Sequence, residues 1–237
     1  MNIRHIVFTK RAFNAIVTET VDKHPLETGG VFIGYILDNG IWIVIETIPP
    51  GIETINQRSY FEYDANFINY LSNIVAKQYK GNLQVLGLWH RHPSSMDTFS
   101  STDDDTNVMF ARANPLGAIS GLVNWDPKMR LTMYHVDGQC HYAKIDWIVD
   151  DGIIPEELLA LRFTDISEFP VLDDNLSATT NVQSSCETIS SEKPPIIDEV
   201  SQPKSAEVVD DNAINETPSL NTLGQKLKKC FNILTNE

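Results

Sequence analysis

Two kinds of hydrophobic periodicity alternate along roughly the first 150 residues of the chain, and they predict strands and helices in turn. Mostly apolar runs that are typical of strands occupy 6–8, 31–37, 41–48, 83–90, 118–125, 130–136 and 140–145. Apolar residues at helical spacing predict helices over 10–24, 64–79 and 102–113, with a shorter one near 155–163. We therefore expect an α+β fold that resembles an α/β sandwich, with a mixed, mainly antiparallel sheet flanked by helices.

The turn signals sharpen two parts of this pattern. Asp38-Asn39-Gly40 is a good hairpin turn between the runs 31–37 and 41–48, and both runs are nearly continuous in apolar residues. We therefore expect both faces of this hairpin to be covered. The segment 52–63 fits no single pattern, and we interpret it as a loop that re-enters a strand near 60–63.

The C-terminal part of the chain has a different composition. No aromatic residue occurs from 173 to 218, and such a polar segment buries too little apolar surface to offset its chain entropy. Leucines and one phenylalanine then recur at spacings of three and four between Leu220 and Leu234. We predict a domain over 1–165, a disordered acidic linker over 166–218 and an amphipathic helix over 219–237.

Charge, cysteine content and hydropathy argue against several classes of protein. The formal net charge is −14, and the acidic excess lies mainly between 150 and 217, so we expect no nucleic-acid-binding surface. The three cysteines match neither a disulfide framework nor a CxxC metal motif, which favours a cytoplasmic location. The N-terminus turns polar too soon for a signal peptide. No window approaches the roughly 20 apolar residues that span a membrane.

The run 83–90 leads into His90 and His92, and this pair is the first candidate for chemistry. Side chains at i and i+2 of a strand project from the same face, so the two imidazoles can bind one ion. A divalent catalytic metal commonly uses three protein ligands and keeps one position open for water. The candidates for the third ligand are the carboxylates at the start of the next helix, Asp103, Asp104 and Asp105.

Each part of this pattern also has a purely structural interpretation. Two histidines at this spacing are more often incidental than metal ligands. A row of carboxylates at a helix start complements the helix dipole, and the preceding Ser100, Ser101 and Thr102 are typical capping residues. The residue types alone therefore leave the metal site and its third ligand open.

The full spacing resembles the signature of the JAMM zinc metalloprotease family (MPN+ domains), and in particular its prokaryotic JAB-type members. The matching residues are His90-x-His92-Pro93, then Ser100-x-x-Asp103 after an interval of seven residues, and an upstream Glu27-x-x-Gly30. The resemblance covers roughly residues 5–145. It implies the MPN fold, which is similar to that of cytidine deaminases.

Carried over by position, the resemblance implies that His90, His92 and Asp103 bind one Zn²⁺ ion per chain. It also implies Glu27 as the general base, and Ser100 as a group that supports the catalytic water or the developing oxyanion. Zinc lowers the pKa of its water to around 7, so a nearby carboxylate can take the proton at neutral pH and return it to the leaving amine. A serine hydroxyl that faces an oxyanion adds electrostatic stabilisation.

Two features depart from the pattern of the family. Arg91 lies between the histidines, where Ser or Thr is common in the eukaryotic members, and we expect its side chain to point away from the ligand face. Ser101 and Asp104 each follow the matched residue by one position, which offers a second register, but Asp103 keeps the spacing of the family.

The function implied by the resemblance is hydrolysis of a peptide or isopeptide bond in a protein or peptide substrate, often at the C-terminus of a ubiquitin-like protein. Two alternatives come from other classes: a catalytically inactive MPN scaffold, and a module that binds metal without hydrolysis. We also expect residues 219–235 to dock a protein partner or a second copy through their leucine stripe. An amphipathic helix on a flexible linker is typical of recruitment.

Overall fold

The computed structural model describes residues 3–93, 96–165 and 167. Its strands are β1 (His5–Phe8), β2 (Thr28–Ile36), β3 (Ile41–Ile48), β4 (Ile55–Asn56), β5 (Phe61–Glu62), β6 (Gln84–Arg91), β7 (Ala118–Asn124), β8 (Arg130–Val136), β9 (Tyr142–Ile145) and β10 (Trp147–Val149). Its α-helices are α1 (Lys10–Asp22), α2 (Ala65–Gln78), α3 (Ser101–Ala113) and α4 (Glu156–Leu159). These elements all lie in the compact unit that includes Met1–Thr164.

Eight of the described strands form one mixed sheet, in the order β10-β1-β3-β2-β6-β7-β8-β9. The pairs β1–β10, β1–β3 and β6–β7 are parallel, while β2–β3, β2–β6, β7–β8 and β8–β9 are antiparallel. This arrangement confirms the predicted α+β class with a mixed, mainly antiparallel sheet.

Helices cover both faces of the sheet, as the apolar hairpin β2–β3 predicted. Thr9 caps the start of α1, and this helix packs on one face with Phe32 and Trp89. α2 and α3 pack on the other face, in a second core with Val31 and Leu88. The central strands are therefore apolar on both sides, because each side meets a helix.

β6 lies in the middle of the sheet, and its pairing with β2 is irregular. The register shifts by one residue between Phe32 and Ile33 of β2, so Leu86 is an extra residue on β6. The next residue, Gly87, has φ +148, and a Cβ added there would lie 1.8 Å from the carbonyl oxygen of Ile119. Glycine is therefore required at this point, where the backbone of β6 faces the Ile119 carbonyl of β7.

Two short elements refine the sequence-based description. β4 and β5 pair with each other, so the segment 52–63 forms a small hairpin where we expected a loop that re-enters a strand. β10 was not predicted at all. It is three residues long and pairs in parallel with β1 at the sheet edge, a long-range contact that local periodicity does not reveal.

The predicted tail falls almost entirely beyond the part of the chain that the structure describes. The linker predicted over 166–218 and the helix predicted over 219–237 lie outside the described residues, apart from Ser167. The domain boundary at 165 stays a prediction. None of the described helices is long and apolar enough to cross a membrane.

We expect the Gly87→Ala substitution to lower the free energy of unfolding by at least about 3 kcal/mol, because the new methyl group meets a backbone carbonyl and the φ angle is unfavourable. The matched control is Gly138→Ala, whose Cβ would meet Arg112 Cγ at an ordinary 3.5 Å. That change should stay within about 1 kcal/mol. Urea unfolding of both variants measures the difference, and equal stabilities would contradict the bulge geometry.

Candidate metal centre

The end of β6 presents His90 and His92 on the same face of the sheet, and both side chains are buried. His92 lies one residue beyond the strand, but its amide donates a hydrogen bond to the carbonyl of Val123 in β7 at 3.0 Å. This bond extends the strand geometry past Arg91. The Nε2 atoms of the two imidazoles lie 2.7 Å apart.

Asp103 reaches the same point from the first turn of α3. The Ser100 hydroxyl accepts a hydrogen bond from the Asp103 amide at 3.2 Å, and the Ser100 amide donates to Asp103 Oδ2 at 2.7 Å. This capping box satisfies two backbone donors and orients the carboxylate. Asp103 Oδ1 lies 3.4 Å from His90 Nε2, and Oδ2 lies 3.2 Å from His92 Nε2.

The three side chains suit a divalent metal ion. Their donor atoms all lie within 4.8 Å of one another. Two imidazole nitrogens and one carboxylate oxygen match a donor set of catalytic zinc sites, which keep a further position open. Electron-rich atoms at these distances repel each other unless a cation or a shared proton lies between them. The donor types fit several divalent ions and do not by themselves select zinc.

Contacts behind His92 fix its orientation. Its Nδ1 lies 3.0 Å from the carbonyl oxygen of Met96. Because a carbonyl can only accept, Nδ1 carries the proton in the neutral ring, and Nε2 keeps a lone pair that faces His90 and Asp103. The side-chain amide of Asn124 donates to the same carbonyl at 2.7 Å. Such outer contacts are what orient ligand imidazoles in metal sites.

The electrostatics of this cluster favour a positive charge at its centre. Burial raises the pKa of Asp103, but the hydrogen bonds that the His90 and His92 rings donate when their Nε2 atoms carry a proton, and the one from the Ser100 amide, outweigh burial and hold that pKa well below its ordinary value. Burial lowers the pKa of His92, yet the contacts with Asp103 and the Met96 carbonyl leave it above its ordinary value. The carboxylate is therefore ionised at neutral pH.

Glu27 lies on the connection between α1 and β2 and is half-buried. Its amide donates to the carbonyl of Gln57 at 2.8 Å, and its carbonyl accepts from the side chain of Asn56 at 2.7 Å. Burial raises the pKa of the Glu27 carboxyl; His92 and Arg91 lower it and Asp103 raises it, and the net change is upward. A carboxyl with a raised pKa is better suited to exchange protons near neutral pH.

One cavity of about 200 Å³ brings together the five residues that the sequence singled out: Glu27, His90, His92, Ser100 and Asp103. The hairpin β4–β5 and the connection before α3 supply further lining side chains, Arg58, Tyr60, Phe61, Tyr63 and Met96. The cavity thus combines two carboxylates and two imidazoles with an aromatic wall.

Several supporting residues were not found from the sequence. The Tyr63 hydroxyl donates to the carbonyl of Trp89 at 3.0 Å, on the strand that carries the histidines. Phe99 stacks on Tyr142 with ring centroids 4.7 Å apart and lies 5.6 Å from the His90 ring. An aromatic residue within the otherwise polar segment before Ser100 was the available signal for this anchor.

The side chains of the two neighbouring carboxylates, Asp103 and Asp104, have different contacts in the structure. Asp104 Oδ1 accepts a hydrogen bond from the Tyr142 hydroxyl at 2.7 Å. Its side chain therefore ties α3 to β9, whereas Asp103 faces the imidazoles. Arg91 projects from the opposite side of β6 to the two histidines, where its guanidinium contacts Leu26 and His24.

The sequence and the fold of this chain are similar to those of known proteins. The family model described as prokaryotic homologs of the JAB domain matches residues 9–131. The probable metalloprotease y4qB of Sinorhizobium fredii is 31% identical over 93 residues, which cover 38% of this chain and 55% of that protein. The chain thus spans about half the length of this curated relative. The solution structure of protein DSY2949 from Desulfitobacterium hafniense aligns with a TM-score of 0.46 and 16% identity, covering 61% of this chain and 92% of that chain.

We expect Asp103→Asn to weaken zinc binding more than about 100-fold, beyond the usual effect of an outer-contact mutation, because it removes an anionic donor from between the imidazoles. Asp104→Asn is the matched control: it makes the same chemical change one residue later and keeps an oxygen that accepts from Tyr142. Its zinc affinity should change less than about threefold. Competition with a chromophoric chelator measures both constants, and a larger loss in the control would move the ligand role to Asp104.

In metal-free protein, the pKa of the Glu27 carboxyl should lie above its ordinary value, because burial disfavours the charged form. Loading with zinc should lower that pKa, since a nearby cation stabilises the carboxylate. Carbon-13 NMR of labelled glutamate, with Glu27→Gln to assign the signal, follows both states. A pKa that does not move on loading would show that Glu27 lies too far from the metal to interact with it.

Proposed function

The chain belongs to the family of prokaryotic homologs of the JAB domain, whose model matches more than half of it, and we propose that it is a zinc-dependent peptidase or isopeptidase. The name of the similar rhizobial protein, a probable metalloprotease, supports the same class. One observation carries the proposal: the donor cluster His90, His92 and Asp103 shares a cavity with the half-buried carboxyl of Glu27.

His90, His92 and Asp103 are the residues that would hold the metal. When bound, a zinc ion lowers the pKa of a coordinated water to about 7 and polarises the carbonyl of the bond to be cut. The three side chains are supported by the β6 strand end and by the capping box of α3. Such support limits the reorganisation that binding requires.

Glu27 acts as the general base in this proposal. Its carboxylate accepts a proton from the attacking water and, once protonated, delivers that proton to the nitrogen of the leaving amine. The raised pKa of the Glu27 carboxyl supports both halves of this cycle, because it brings the acid and base forms closer in free energy at neutral pH. The backbone contacts with Asn56 and Gln57 hold the residue in place.

Ser100 can serve both the fold and the chemistry. Its hydroxyl oxygen accepts the capping hydrogen bond from Asp103, which leaves the hydroxyl proton free to donate. The residue also lines the cavity. We propose that this proton faces the oxygen that becomes negative during attack, where a fixed donor stabilises the transition state.

The proposed substrate is an extended protein or peptide segment, and the C-terminus of a ubiquitin-like protein is the first choice. A cavity of about 200 Å³ is smaller than the roughly 300–1,000 Å³ of ordinary ligand pockets. It can take the end of an extended chain but no folded domain. The ubiquitin-like choice comes from the family and is open to test.

We expect Glu27→Gln to reduce kcat for cleavage of a ubiquitin-like fusion by at least about 100-fold, the usual contribution of a general base, while zinc content stays at one per chain. The matched control is Glu157→Gln, which makes the same change at an exposed position in α4 and should leave kcat within about twofold. Zinc analysis and initial rates, with and without a chelator, measure the three proteins.

Each outcome of that experiment has a distinct meaning. Full activity in Glu27→Gln would show that another group is the base. Zinc binding without cleavage of ubiquitin-like or peptide substrates by the wild type would favour an inactive scaffold or a metal-binding module. Activity that survives complete removal of zinc would contradict the metallopeptidase proposal.

A further inference from the structure

Arg91 is a buried cation next to the candidate metal centre. It lies between His90 and His92 in sequence, yet it projects from the other face of β6 and is only 1% exposed. It therefore does not line the cavity, and no part of the proposed reaction above uses it.

The contacts of Arg91 converge on the end of α1 and the residues that follow. One guanidinium nitrogen donates to the carbonyl of Leu26, and another donates to Nδ1 of His24 at 2.8 Å. The guanidinium carbon lies 5.9 Å from the ring centroid of Trp125, and this indole in turn stacks on His24 with centroids 4.6 Å apart. Trp125 is half-buried and contacts both Arg91 and His24.

The contact of Arg91 with the Leu26 carbonyl lies one residue before Glu27. The Leu26 amide donates to the carbonyl of Lys23 at 2.7 Å, and the Glu27 amide donates to Gln57 at 2.8 Å, so the connection is held from α1 and from the β4–β5 hairpin. The Arg91 guanidinium supplies a further attachment, and it comes from the strand that carries both histidines, beside the pairing of Thr28 with Arg91 in the β2–β6 ladder.

We propose that Arg91 is a positioning residue, which fixes Glu27 relative to the metal ligands by binding the Leu26 carbonyl from within β6. Because His90, Arg91 and His92 are consecutive, any small shift of the strand end moves the ligands and the anchor of the base together. The inference deepens the proposed function and rests on Glu27 being the general base.

The burial of Arg91 is hard to explain by stability alone. Removing a guanidinium from water is costly, and its Nε has no hydrogen-bond partner among the described residues. An apolar side chain of similar length avoids that penalty and still packs against Trp125. A residue that burdens the fold while it orders a reacting group is typical of a functional site.

The first test compares Arg91→Met and Arg91→Lys with the wild type. For Arg91→Met we expect kcat to fall about 10- to 100-fold, as a small misplacement of a reacting group does, with KM changed less than about twofold. Zinc affinity should stay within about threefold and the unfolding midpoint in urea should not fall. Arg91→Lys keeps the charge and one donor, so it should recover part of kcat.

The matched control is Arg112→Met, which removes another guanidinium that donates to a backbone carbonyl, that of Gly138, at a site outside the cavity. Its kcat should match the wild type. If Arg91→Met behaves like this control, or if it lowers zinc affinity in proportion to activity, the positioning role is wrong.

A double-mutant cycle then asks whether Arg91 acts through Glu27. In the Glu27→Gln background, Arg91→Met should change the residual rate less than about twofold, because the group that it positions is gone. An additive loss in the double mutant would show that Arg91 acts independently of the base, and would overturn the inference.

Hydrogen exchange separates this inference from the proposed function. Arg91→Met should increase exchange at the amides of Leu26 and Glu27 at least about tenfold relative to Arg112→Met, since their connection loses one attachment. If exchange becomes faster in Arg91→Met but the wild type cleaves no substrate, the positioning contact stands and the peptidase proposal is wrong. Unchanged exchange together with an unchanged kcat would overturn the positioning role alone.

Discussion

The structure depends on holding three electron-rich atoms within a few ångströms of one another. Two imidazole nitrogens and a carboxylate stay this close only where a cation or a shared proton lies between them. The backbone directs all three atoms to one point. A central strand supplies two of the atoms, and the capped start of a helix supplies the third. The rest of the domain keeps these two backbone segments at a fixed distance from each other.

The support for that arrangement is distributed among contacts that have ordinary structural uses elsewhere. A helix cap orients Asp103, a carbonyl sets the tautomer of His92, and stacked aromatic rings hold the segment before Ser100 against β9. Each contact contributes only about 1 kcal/mol to stability. Together they leave the cluster few alternative conformations, which is how a site gains precision from weak interactions.

Much of the fold and the core of the candidate site could be predicted from the sequence because they rest on local patterns. An apolar run that leads into His90 sets a strand face, and Ser100 three residues before Asp103 sets a helix cap. The family signature added Glu27, which no local pattern connects with the histidines. That same signature selected Asp103 over Asp104, where the residue types alone left the choice open.

The remainder could not be predicted because it depends on contacts between distant segments. β10 is too short to show a period and is ordered by pairing with β1. The hairpin over 52–63 and the contacts of Arg91 with Leu26 likewise form only once the sheet has assembled. The sequence predicted that Arg91 points away from the ligands, but not that it binds the connection to Glu27.

The bulge in β6 has a consequence for the chemistry itself, since it decides on which face of the sheet each later side chain of the strand lies. Leu86 and Trp89 both lie in the core beneath α1, while Val85 and Leu88 lie in the other core. In a regular strand, residues three apart lie on opposite faces, so these pairings require the extra residue. Without it, the imidazoles would be buried beneath α1 and the guanidinium would enter the cavity. One additional residue, placed before Gly87, thus determines whether the cavity at the end of β6 attracts a cation or repels it.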